Sequence, residues 1–429
     1  MNFRTFGIVR AAEEMDSDVV TTEGGDEGLE MDSDVVEQEA TIDAADAAGN
    51  AAIADVETLE EIKEVLEDAA ESGDGIDETA AKVVEVAVES IYARLGMEYR
   101  GLGTSAESFG SSRSRVTATN IAAESIGDSI SRAWEAIKKF FKKIWTYIKD
   151  FAKSIFTAIG RLKVAANKMF EKVNKSGKDK REENFTNSFI VSKFADGSSI
   201  KSADDIIAGI TDVKKGLDDL AGIKKNLEAM VKGKDDTEKL KALKAIMTGL
   251  ADSSPEVIAK LGVNTTEEFA STIFVTPTGV AVAITMSKDS ADAKKASETK
   301  TRARVEAAQM YESTKDVEIS IDVVELNKLR DISRKVGDMA NSAETANKDE
   351  KYLKNIDSAI DALKGKVEIV DSTTAVKTTV KDEMFNVAVA SIRAALSLGK
   401  GVSTKPITVA VKSGFDCLKY VSTMLAQYK

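Results

Sequence analysis

The chain has 429 residues, a formal net charge of −13, no histidine, one cysteine and three prolines. The length allows a sizeable core or two to three domains. The lack of histidine removes the commonest general base and the commonest transition-metal ligand, and a lone Cys417 excludes a disulfide within the chain.

No Gly-rich phosphate loop, no GxSxG and no CxxC is present. The expectation is therefore a non-enzyme with no catalytic residues, no cofactor and no metal site. Alanine and valine dominate the apolar residues, and the prolines are confined to positions 255, 277 and 406. That composition predicts a mainly α protein with long helices and few breaks. No run reaches the roughly 18 to 20 apolar residues of a membrane span, and the start, MNFRTFGIVRAAEEMD, lacks the apolar stretch of a secretory signal.

The net charge conceals a split. Residues 1–107 hold 29 acidic against 6 basic residues, a net of −23, and the remainder carries a net of +10. The acidic arm is low in complexity: EMDSDVV occurs at Glu14–Val20 and again at Glu30–Val36, followed by an Ala/Asp-rich run. Met1 to about Ala54 is expected to be disordered, because such a composition buries too little apolar surface to offset chain ordering. Two short helical patterns follow, with Val56, Leu59, Ile62 and Leu66 on one and Val84, Val88, Ile91 and Leu95 on the other, and Gly96 as a natural stop.

Residues 108–124 are crowded with Gly, Ser and Thr and read as a flexible linker open to proteolysis. Residues 125–175 give the strongest local signal. Ile126, Ile130, Trp134, Ile137, Phe141, Ile144, Ile148, Phe151, Ile155, Ile159 and Leu162 recur at steps of three and four. This segment has 12 basic and 4 acidic residues and both tryptophans. Its basic face is carried by Lys138, Lys139, Lys142, Lys143, Lys149 and Lys153. Three readings stand: a core-facing helix with a wet lysine face; a helix lying on an anionic membrane surface through 126–162; and a basic helix meeting DNA phosphates or an acidic partner. The acidic arm is itself the nearest such partner.

Residues 176–429 read as a further helical body. Ser202 is a predicted helix cap, followed by a face of Ile206, Ile210, Val213, Leu217, Leu220, Ile223, Leu227 and Met230. The pairs Asp204-Asp205, Asp218-Asp219 and Asp235-Asp236 read as solvated helix termini. The segment TIFVTPTGVAVAITM predicts a small β-hairpin near 272–286, turning at Pro277-Thr278-Gly279, and Val317–Asp322 is a second β-like stretch. Helical patterns resume in the stretches beginning at Ser290, Val323, Asp349, Val380 and Val411, and Cys417 falls on an apolar-periodic face. The predicted fold is long amphipathic helices in an antiparallel bundle, with a small β-hairpin element and a disordered acidic arm.

An acidic N-terminal segment, a Ser/Gly linker and a basic helical body together resemble the internal head proteins of large tailed bacteriophages. The resemblance implies a virion protein of the head interior, made in the host cytoplasm. It further implies an N-terminal propeptide that a prohead protease cuts after glutamate in a small-x-Glu motif. Ser105-Ala106-Glu107 before Ser108 and Ala122-Ala123-Glu124 before Ser125 fit that motif. Ala69-Ala70-Glu71, Ala87-Val88-Glu89 and Ser342-Ala343-Glu344 fit it too. The partners implied are capsid and core proteins, the protease and, non-specifically, genomic DNA. The alternative is a membrane- or partner-binding helical effector whose acidic segment is an inhibitory pro-segment.

Overall fold

The computed structural model describes residues 29–30, 33–104, 109–177, 179–180, 183–194, 200–232, 268–287, 303–310, 320–348, 350–362 and 403–428, with positions 392, 396, 399 and 400. The helical patterns of 236–252 and 254–262 and much of 380–399 lie outside this set, as do 290–302 and Asp235-Asp236.

The longest element is α3 (Ser112–Lys175), 64 residues, or roughly 95 Å of helix. Ser111 caps it, its Oγ accepting from the Ser114 amide at 3.2 Å. The helix thus begins inside the segment expected to be a flexible linker. Ser112–Glu124 are helical because Ala118, Ala122 and Ala123 supply a narrow buried face, one too small in side-chain volume to register as an apolar period. From Ile126 onward the predicted stripe is the buried stripe, with Ile130 and Trp134 half-buried.

Helix α1 (Ser33–Glu71) precedes it. Disorder was expected from Met1 to about Ala54; residues 1–28 lie outside the described set, but Ser33–Ala54 are helical. Alanine is the strongest helix former, and the segment's own sparse apolar residues are not its only resource. Val35, Ile42, Ile53, Val56, Leu59 and Leu66 are buried against an apolar face that α3 provides. Small residues bring the helices close: a Cβ on Gly49 would lie 3.0 Å from Ile144 Cδ1. Each buried aliphatic side chain contributes about 1.5–3 kcal/mol.

The pair is antiparallel along its whole length. Arg161 donates to the Glu30 carbonyl, Gly49 faces Ile144, Trp134 Nε1 donates to Glu60 at 3.3 Å, and the Ile76 amide donates to Thr119 Oγ1 at 2.9 Å.

Helix α2 (Glu78–Leu95) follows a tight turn, capped by Asp77 and closed by Gly96 at φ 68°. The turn is pressed on the start of α3. Gly75 has φ 62°, and a Cβ there would stand 2.6 Å from the Arg115 carbonyl carbon, so only glycine fits.

Beyond α3 come β1 (Asn184–Thr186), α4 (Ser188–Phe194) and α5 (Ala203–Lys232). Ser202 caps α5 reciprocally with Asp205, at 3.1 Å and 3.2 Å. The hairpin stands where it was expected, as β2 (Glu268–Val275) and β3 (Val280–Ser287), with Gly279 at φ 82° in the turn. A third strand, β4 (Ala303–Gln309), pairs antiparallel with β3. That stretch was read as helix. Its sequence, ARVEAAQ, suits either state, and pairing with β3 decides. β5 (Ser320–Asp322) pairs with β1.

Three further helices have described bounds, α6 (Leu326–Asn347), α7 (Glu350–Ala362) and α8 (Lys405–Leu425), and positions 392, 396, 399 and 400 are helical as well. α6 runs antiparallel to α3: Lys163 meets Glu344 at 2.6 Å, while Gly337 lies against Ala166. Against α5, however, α6 is parallel, since Lys328 pairs with Asp204, Lys335 reaches Thr211 at 3.0 Å and Lys224 donates to the Ala346 carbonyl. The excursion through β2–β4 returns the chain to the same end, which a short loop could not do. α8 packs closely on both α3 and α6: a Cβ on Gly414 would meet Leu162 at 2.7 Å and Met339 at 2.9 Å.

Candidate interaction surface on the basic helix

The six lysines predicted to form one basic face have different surroundings. Lys142 pairs with Asp361 at 2.6 Å and Lys149 with Asp357 at 3.0 Å, both on α7. Lys153 pairs with Asp150 within α3 at 2.9 Å. Lys138 is only 8% exposed. Lys139 and Lys143 line a cleft of about 440 Å³ between α3 and the end of α2, together with Arg132, Phe140, Glu98 and Glu135; the Lys143 ammonium also lies 5.8 Å from the Tyr147 ring centre. Half of the predicted face is thus engaged by carboxylates of the same chain.

The apolar stripe opposite is taken up as well. Phe141, Ile144, Trp145, Ile148, Phe151 and Ile155 are buried, consistent with the core-facing reading. No helix among the described residues is long and apolar enough to cross a membrane. In this fold 126–162 presents to solvent only single apolar side chains such as Phe156.

The acidic segment engages other basic residues that the sequence did not single out. Lys400 lies 2.7 Å from Asp43 and 3.0 Å from Asp46. Burial works against its charge, but Asp46 and Asp43 outweigh burial and hold its pKa above the ordinary lysine value. Lys419 pairs with Glu30 at 2.8 Å, and its hydrogen bond holds the Glu30 carboxyl below the usual range. No sequence signal could have found these pairs, because their members lie more than 350 residues apart.

α8 also holds a buried acid. Burial pushes the Asp416 carboxyl up, against the attraction of Lys193 on α4 and of Lys412 and Lys419, and with added repulsion from Glu30. An acid whose pKa is raised by folding favours the native state fully only below its unfolded value of about 3.9, and that support is lost as pH rises through the higher folded value. Asp416→Asn is therefore expected to raise the melting temperature at neutral pH, with the gain shrinking toward acid pH. A melting difference independent of pH would contradict this.

Of the predicted cleavage residues, Glu107 and Ser108 lie outside the described set. Glu124 is exposed on α3, inside the helix, and Ser125 is half-buried beside it, its Oγ donating weakly to the Gly101 carbonyl at 3.5 Å.

Long helices, linked by ion pairs and packed on aliphatic faces, make this a mainly α protein. The chain belongs to the family of phiKZ-like phage internal head proteins, which matches residues 30–419. That membership places it inside the phage head, as a structural component of the virion. No curated protein and no solved structure matches the chain.

Proposed function

We propose that the protein is a non-enzymatic component of the phage head whose N-terminal segment is cut by the prohead protease between Glu107 and Ser108, and whose body packs with other core proteins and weakly with genomic DNA. The position of that bond among the small-x-Glu matches carries the reading. Ala87-Val88-Glu89, Ala122-Ala123-Glu124 and Ser342-Ala343-Glu344 lie within α2, α3 and α6, and Glu71 closes α1. Proteases cleave extended backbone, and helix interiors resist them. Of the five matches named above, Ser105-Ala106-Glu107 is the one that falls in no described helix, between Thr104 and the cap at Ser111. The sign of the charge changes at the same place, so the bond separates a −23 segment from a +10 body.

The DNA part of the reading rests on that excess of bases, which is modest for a body of this size. Any contact is expected to be non-specific and to weaken steeply with salt. Intact-mass measurement and N-terminal sequencing of protein from purified particles test the processing. A polypeptide beginning at Ser108 is expected. Particles containing only chains that begin at Met1 would overturn it.

A further inference from the structure

A cut between Thr104 and Phe109 divides the chain between two firmly held points. On one side, Leu102 is buried, and Tyr99 stacks edge-on against Tyr92 with ring centres 5.4 Å apart. On the other, α3 is already capped at Ser111. Everything that fixes α1 to the body lies away from the cut. Ile42, Ile53, Val56, Leu59 and Leu66 are buried along α1. Trp134 holds Glu60, and the α1–α2 turn is bound to the beginning of α3 through Ile76–Thr119 and through Arg115 Nε, which donates to the Asp74 carbonyl at 3.3 Å. The far end of α1 is fixed by Lys400, just ahead of α8, on Asp43 and Asp46, and Glu30, just ahead of α1, is held by Lys419 of α8. None of these contacts needs the peptide bond at 107–108.

We propose that α1 and α2 stay bound after the chain is cut, so that processing yields a two-piece protein rather than a free basic body. The setting in the phage rests on the processing reading; the docking does not. The charge consequence is direct. With both pieces present the assembly keeps the −13 of the whole chain, and the +10 body is not exposed by cutting alone. The apolar face of α3 likewise stays covered. The partner that this face fits is an acidic, alanine-rich helix with aliphatic residues at steps of three, four and seven, and the chain carries its own.

The test uses the full chain with a site-specific protease sequence inserted between Thr104 and Phe109. After complete cutting, the two pieces are expected to leave a gel-filtration column together at micromolar concentration, in about 0.1 M and in about 1 M salt, with the helical circular-dichroism signal retained. Apolar burial survives salt, whereas exposed ion pairs are screened. Elution of the N-terminal piece on its own, or precipitation of the body while that piece stays dissolved, would overturn the proposal; so would separation confined to high salt. Particle protein that retains Met1 would overturn the processing and leave this result standing.

Discussion

Trp145→Ala is expected to lower stability by about 3–5 kcal/mol, the cost of removing a large aromatic side chain from a packed interior. Trp145 is 0% exposed, midway along α3. Trp134, eleven residues earlier, is half-buried and donates to Glu60 across the α1 interface at 3.3 Å. Trp134→Phe keeps most of the ring volume and removes one hydrogen bond, so a loss of about 1 kcal/mol is expected. The contrast is read from guanidinium unfolding midpoints, with each variant's remaining tryptophan as the fluorescence probe. If both changes left the midpoint where it was, the aromatic face of α3 would be a surface, and the interfacial reading of 126–162 would return.

The second large effect concerns α1. Ile53 is buried against the body, in a segment whose composition alone suggests a solvated tail. Ile53→Asp places a charge in that apolar contact, and a loss of about 4 kcal/mol or more is expected. Because α1 is the element struck, the loss should appear first as proteolytic sensitivity within Ser33–Glu71. A tail loosely associated with the body would tolerate the change without any shift in melting or digestion.

These two helices also show what the sequence could and could not reveal. The stripe of α3 was legible because large side chains repeat at helical spacing over many turns, and burial follows that spacing closely. α1 was misread over Ser33–Ala54 because composition counts only the apolar surface a segment brings, and here the complementary surface belongs to another helix. The start of α3 was misread for a related reason: Ala118, Ala122 and Ala123 pack well but carry little hydrophobic signal. β4 was assigned to a helix because only its pairing with β3 settles an ambiguous stretch. On the candidate surface, the six lysines were legible as residues but not as a face. Asp357 and Asp361, which take up two of them, are more than 200 residues away. The parallel setting of α5 and α6 depends on the long excursion between them, which periodicity does not report.

The contacts that the segment around α1 makes with Lys400 and Lys419 bear on the order of assembly at the ribosome. α1 is among the first segments to emerge, and α8 is the last described helix. α1 can close on α3 once residues up to about 175 have left the exit tunnel. The bonds of Asp43 and Asp46 to Lys400 and of Glu30 to Lys419 must wait until those lysines have been made. Through that interval the N-terminal helix is held along one side only, with Asp43, Asp46 and Glu30 still in water. Contacts between such distant segments are slow to form, and domains otherwise mature from the N-terminus as they are synthesised. The segment around Asp46 is thus met by α3 first and by Lys400, 354 residues further along, only later. A chain truncated before Lys400 would lack these ion pairs and leave the first helix fastened mainly by α3.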